Sequence, residues 1–142
     1  MELQEDILIK APIEKVFAYL NLVDQRTNYI PMLSEVIMLD EPPIQVGSRY
    51  IEVATIAGQD LKTTYQVVEW EENRYIKVKT IQSVFPIQAE MILNANGANT
   101  NIELALTFTL KGMYRLATPL IRGIVQQQAS EILDRLKKIL EA

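Results

Sequence analysis

The chain has no histidine and no cysteine among its 142 residues. Without cysteine it forms no disulfide and offers no thiolate nucleophile. Without histidine it lacks the side chain whose ordinary pKa suits proton transfer at neutral pH. A Ser-His-acid triad within one chain is excluded, and a structural zinc site loses its usual ligands. Glycine is sparse: five residues, Gly47, Gly58, Gly97, Gly112 and Gly123, scattered as turn or contact positions. No glycine-rich phosphate loop is present, and the acids are not spaced as a calcium loop. Neither a metal nor a cofactor is expected. No apolar run approaches the roughly 20 residues of a transmembrane segment. Eighteen acids outnumber fourteen bases, giving a formal charge of -4, which argues against nucleic acid as a partner. The opening Met1–Lys10 alternates and is acidic, unlike a signal peptide, so a cytoplasmic protein is expected.

What the chain does have is apolar surface to bury. Hydrophobic residues make up 49% and charged residues 23%, the balance of a folded chain. The length suits one domain over residues 1–142, burying roughly two thirds of its unfolded surface. A homodimer is compatible with this composition.

Period-2 alternation marks residues 2–10 as a half-buried strand, with Leu3, Glu5, Ile7 and Ile9 on one side. Pro12 then opens a short helix over 12–20, with Glu14 in its first turn and Val16, Phe17 and Leu20 on its apolar face. A second short helix follows and bends at Pro31. Six strands are expected next: Glu35–Leu39, Ser48–Ala57, Leu61–Trp70, Arg74–Ile81, Phe85–Leu93 and Thr100–Leu110. The residues 94–99 between the last two read as a turn. Connections this short favour antiparallel pairing, since a parallel crossover needs a dozen or more residues.

From Pro119 the period changes. Leu120, Ile121, Ile124, Val125, Ala129, Ile132, Leu133, Leu136, Ile139 and Leu140 fall three and four residues apart on one broad side, the face of a helix running to about residue 140. Thr118 is a candidate cap and Pro119 a candidate first residue. A one-faced helix roughly 30 Å long needs an equally long partner, and the antiparallel sheet is the candidate. The fold class is therefore α+β: a curved antiparallel β-sheet gripping a long C-terminal helix, with two short helices after the first strand.

Several stretches carry a family likeness. Ile9 to Leu20, with Ala11-Pro12-Ile13-Glu14-Lys15-Val16-Phe17 at its centre, resembles the opening of the polyketide cyclase/dehydrase and lipid-transport superfamily, which shares the START and birch-pollen-allergen helix-grip fold. Asp24 and Pro31 resemble its next motif, with Tyr29 where most members carry a tryptophan or similar aromatic. Gly47, Val67-Val68-Glu69 and the tail Leu133–Glu141 resemble later ones. The turn Gly97-Ala98-Asn99-Thr100 is longer by two residues than the family's Gly-Thr. The resemblance spans nearly the whole chain. It implies a cavity between sheet and long helix for a hydrophobic or amphipathic small molecule. It implies no catalytic residue, because the matched motifs are structural.

Strand alternation nominates the cavity lining. Leu106 and Phe108 share an inward side with Ile102 and Leu104, and Phe85, Met91 and Leu93 share another with Ile87. Ile76, Val78 and Thr80 are expected inward. On Ser48–Ala57 the choice lies between Tyr50, Glu52, Ala54 and Ile56 and the opposite set. Tyr50 and Tyr65 are taken as inward because a phenol offers a ligand both apolar area and a polar handle. Trp70 falls on the face opposite Tyr65, at a strand end, and reads as packing. Tyr29 and Met32, in the loop after the short helices, sit where an entrance would form. On the long helix Gln128 falls within the apolar face near Ile121 and Val125, and Arg122 flanks it. An amide there needs hydrogen bonds, whereas the arginine either snorkels to water or meets a ligand carboxylate.

Three functions are consistent with this pattern. The first is binding or transport of an apolar or amphipathic small molecule such as a lipid, isoprenoid or aromatic compound. The second is a cyclase- or aromatase-like enzyme using a desolvated acid, with Glu52 the candidate base. The third is a protein-binding adaptor with a filled core.

Overall fold

A computed structural model of the chain describes residues 1–142 except 57 and 84, and the side chain of residue 56 is also outside what is described. The expected strand end at Ala57 and the inward placement of Ile56 therefore lie outside the described residues. Among the described residues seven strands form: β1 (Glu2–Ile9), β2 (Leu33–Met38), β3 (Arg49–Ile56), β4 (Gln59–Glu71), β5 (Tyr75–Gln82), β6 (Ile87–Asn96) and β7 (Asn99–Phe108). Between β1 and β2 lie helix α1 (Ile13–Leu20) and a 3-10 turn over Val23–Asn28. After β7, a 3-10 turn over Gly112–Ala117 leads into α2 (Thr118–Leu140).

The strands make one antiparallel sheet in the order β1-β7-β6-β5-β4-β3-β2. Consecutive strands from β2 to β7 are neighbours, as short connections require. β1 closes the far edge against β7, and α2 lies along β1 and touches β7. The expected helix-grip architecture is what forms.

Two local differences from the sequence reading have clear causes. The register slips between Val67 and Glu69 opposite β5. Such a bulge shifts the side-chain alternation by one residue, so Trp70 swings to the inner side shared by Val67. There its ring packs at 5.5 Å from that of Phe17, and its indole N–H donates to Asn21 Oδ1 at 2.8 Å. The second difference is the β6–β7 connection. Asn94 pairs with Asn101, and Asn96 with Asn99, so the strands extend through most of the stretch read as a turn. Only Gly97-Ala98 remain as the loop, and Gly97 takes the positive φ of 64° that this tight hairpin needs.

Helix α2 begins at Thr118, one residue early. Thr118 does not cap it: its hydroxyl donates back to the Arg115 carbonyl at 2.7 Å, because the preceding 3-10 turn runs directly into the helix. The other end is well anchored. Lys15 Nζ donates to the Leu140 carbonyl at 3.0 Å, and Glu141 accepts from the Lys10 amide at 2.9 Å. Between them, Ala129, Leu133, Leu136 and Leu140 are buried with Leu3, Ile9, Val16, Phe17, Leu93 and Ile102 in one core. Thr100, fully buried beside them, donates its hydroxyl to the Ala11 carbonyl at 2.8 Å. No helix is long and apolar enough to cross a membrane among the described residues.

Candidate functional site

The first buried residue of α2 is Ala129. N-terminal to it the helix faces the sheet across a gap, and a cavity of about 450 Å³ opens there, within the roughly 300–1,000 Å³ of small-molecule pockets. The inner faces of β5, β6 and β7 supply Ile76, Val78, Ile87, Ala89, Met91, Leu104, Leu106 and Phe108. These alternate along each strand, as period 2 requires. Ile121, Val125, Gln128 and Ile132 come from one side of α2, at spacings of four, three and four. The remaining wall includes Tyr50 and Glu52 on β3, Leu61 and Tyr65 on β4, Ile44, Phe85 and Leu110 from loops, and residues of the turn from Leu20 to Met32.

One corner of this apolar space is polar. Arg26, in the turn Val23–Asn28, donates from Nε to Glu52 Oε2 at 2.6 Å. Both side chains are mostly buried, and they are the charged members of the lining among the described residues. Arg26 also sits 5.6 Å over the ring of Tyr50, a cation–π contact. Tyr50 in turn stacks on Tyr65, its cross-strand partner, with centroids 5.6 Å apart and planes 19° from parallel. Burial works against the charge on Arg26. Even so, the Glu52 carboxylate, with Tyr50 and Tyr29 nearby, holds its pKa well above the ordinary arginine value.

Tyr29 completes the corner. It is fully buried, and its hydroxyl is the one buried side-chain polar atom among the described residues without a hydrogen-bond partner. Burial raises its phenol to about 12, against the opposing pull of the Arg26 charge. Burial raises Tyr50 and Tyr65 as well. All three phenols therefore stay neutral near pH 7 and act as hydrogen-bond donors rather than bases. Met32, at the rim, holds a φ of 67°, a left-handed conformation that is uncommon for such a residue. The Thr55 amide donating to its carbonyl at 2.8 Å fixes it there.

The sequence-nominated residues fall as follows. Tyr29, Met32, Tyr50, Glu52, Tyr65, Phe85, Met91, Leu106, Phe108, Ile121, Val125 and Gln128 all lie on the cavity wall. Three others do not. Leu93 is on the inner face of β6 but opposite Ile102, in the solid core below the cavity, where nothing is left open. Ala54 pairs with Leu33 and Leu61; its methyl is too short to reach a wall that Leu61 provides. Arg122 is exposed: one residue on from Ile121, it points about 100° away from that side chain around the helix, so it reaches water.

Arg26 was not nominated. It lies in a six-residue turn without periodicity, and its meeting with Glu52, 26 positions away, is a tertiary fact that no local pattern encodes. Ile44, Leu61 and Ile124 also line the cavity and were missed, the first because it sits in an irregular loop. Among the described residues no cluster of acids could hold a metal ion.

Known structures share this architecture. A protein of Thermus thermophilus superposes with a TM-score of 0.84 at 18% identity, covering 97% of this chain and 95% of that one. The Zhui aromatase/cyclase of a Streptomyces species gives 0.81 at 14%, covering 99% and 93%. A START superfamily protein of Mycobacterium smegmatis gives 0.75 at 15%, covering 97% and 98%. At these identities the likeness is one of fold. No match is found among functionally curated proteins. The model of the polyketide cyclase/dehydrase and lipid-transport family matches residues 1–141, and the chain belongs to that family.

Proposed function

We propose that the protein binds, and carries without chemical change, an amphipathic small molecule: an apolar body with one hydrogen-bond-accepting head. The observation that carries this reading is the contrast within the cavity. Its walls are aliphatic and aromatic, while its polar groups gather in the single corner formed by Arg26, Glu52 and Tyr29. Burial of the apolar body supplies the driving force, at roughly 25 cal/mol per Å² before ordering costs. A carbonyl, hydroxyl or carboxylate at the corner would give the Tyr29 hydroxyl the partner it lacks.

An enzymatic reading would use Glu52 as base. Its carboxylate is instead tied to Arg26 at 2.6 Å, and the nearby phenols hold their protons at neutral pH, so proton abstraction has no ready agent here. The adaptor reading needs a filled core, and the cavity weighs against it.

The test is displacement of an environment-sensitive fatty-acid probe. Leu106→Trp fills the cavity from β7, while Thr107→Trp places the same ring on the outer face of the same strand. We expect Leu106→Trp to weaken probe binding at least tenfold, about 1.4 kcal/mol, and Thr107→Trp to leave it unchanged. Equal binding by both variants, or no binding by the parent protein at high micromolar probe, defeats the reading. Turnover of a bound compound that vanishes in Glu52→Gln would establish the enzyme instead.

A further inference from the structure

The rim of the cavity carries an apolar surface that the interior does not explain. Met113 and Leu116, three residues apart on the 3-10 turn, share a side of it and are 87% and 89% exposed. Leu120, 68% exposed, and Ile124, 50% exposed, lie four apart on the first turns of α2. This cluster is continuous with the cavity. Ile124 lines it, and the exposed Tyr114 meets the cavity residue Phe85 edge-on at 5.1 Å. Large apolar side chains grouped this way on a surface mark a docking site.

The charge around the cluster identifies its partner. No acidic residue occurs between Glu103 and Glu131, a stretch that holds Lys111, Arg115 and Arg122. All three are exposed. The rest of the chain carries eighteen acids and eleven bases, so an apolar segment with only basic charges stands within an otherwise acidic chain, with Glu5 meeting α2 beyond it at Gln126. That is the composition of segments that lie in the interface of an anionic bilayer. A second copy of this chain fits poorly, because a two-fold contact places the same patch on both sides and would bring six positive charges together.

We propose that the segment Lys111–Ile124 docks on an anionic lipid surface, with Met113, Leu116 and Leu120 entering the headgroup boundary and Lys111, Arg115 and Arg122 facing the phosphates. Docked this way, the mouth of the cavity opens onto the bilayer. An apolar ligand would then pass between membrane and cavity without crossing water, a consequence that rests on the binding reading above.

Co-sedimentation with vesicles of phosphatidylcholine alone, and of phosphatidylcholine mixed with phosphatidylglycerol, tests the docking itself, with no cavity ligand needed. The protein should bind the mixed vesicles and hardly bind the neutral ones. Arg115→Gln should weaken binding roughly fivefold, and the double substitution Leu116→Ser/Leu120→Ser should abolish it with an unchanged thermal melt. Leu106→Trp, which fills the cavity, should sediment like the parent, so loss of probe binding and loss of docking are read separately. Absence of binding, equal binding to both vesicle types, or binding untouched by the double substitution overturns the proposal. Self-association in analytical ultracentrifugation that the double substitution removes, without vesicle binding, overturns it in favour of an interface between copies.

Discussion

The two halves of α2 have the same apolar periodicity and opposite fates. In the C-terminal half Ala129, Leu133, Leu136 and Leu140 are buried against β1, α1 and the sheet. In the N-terminal half Ile121 and Val125 face a cavity, and Leu120 and Ile124 face water. A helical stripe specifies that one side seeks cover. It does not specify what covers it. Here β1 covers one half, and the other half is left to whatever occupies the cavity and its rim. The closed half is core, and the open half lines the cavity.

The comparison breaks most visibly under truncation. Leu136→Ala should cost about 4 kcal/mol, the loss of a fully buried leucine with partial collapse of the space. The same change at Leu120 should stay within about 0.5 kcal/mol. Urea denaturation of the two variants measures both. Similar costs at the two positions would mean that the first turns of α2 are covered in solution.

The polar corner sharpens the contrast from inside the open half. Glu52→Gln removes one partner of a mostly buried pair and leaves Arg26 charged without its counterion. The expected loss is about 3 kcal/mol, near the lower end for breaking buried ion pairs because both side chains retain some exposure. Arg26→Gln/Glu52→Gln should recover much of it, since no uncompensated charge is left behind. If the double variant is as unstable as the single one, the pair's role lies in its geometry rather than its charge balance.

Much of this was readable beforehand, for a definite reason. Strand alternation and helical spacing report which side of an element is apolar, and an antiparallel sheet with one helix has only one interior to serve. Spacing alone placed Leu106, Phe108, Met91, Ile121 and Val125 on the inward sides of their elements, and the family resemblance supplied the expectation of a cavity there, which they line. The failures share a cause as well. Trp70 changed faces because of a bulge at Val67/Glu69, a one-residue slip without a sequence signature. Leu93 lies on the expected side of β6, but how far along the strand the cavity reaches depends on where α2 parts from the sheet; Arg122, beside the cavity residue Ile121, takes the solvent alternative that its flanking position left open. Arg26 depends on a turn meeting a strand 26 residues away.

The smallest effect at neutral pH comes from Tyr29. Its hydroxyl is buried without a partner, so Tyr29→Phe removes an unsatisfied group at little loss, and stability at pH 7 should change by less than about 1 kcal/mol. At alkaline pH the same substitution becomes conspicuous. The folded phenol titrates at about 12, whereas an unfolded tyrosine loses its proton near 10. Below pH 10 both states keep the proton and stability is flat. Above it the unfolded state sheds its proton first, so the folded state binds more protons and stability falls as pH rises towards 12, by about 1.4 kcal/mol per pH unit for this one group. Tyr50 and Tyr65, also raised by burial, add to the same decline. Tyr29→Phe should therefore make the fall between pH 10 and 12 shallower by one proton's worth, read from denaturant unfolding at a series of pH values. An unchanged slope would place the Tyr29 hydroxyl in contact with water through the cavity. The polar corner would then be solvated in the free protein, and an incoming ligand head would have to displace that water rather than fill an unmet bond.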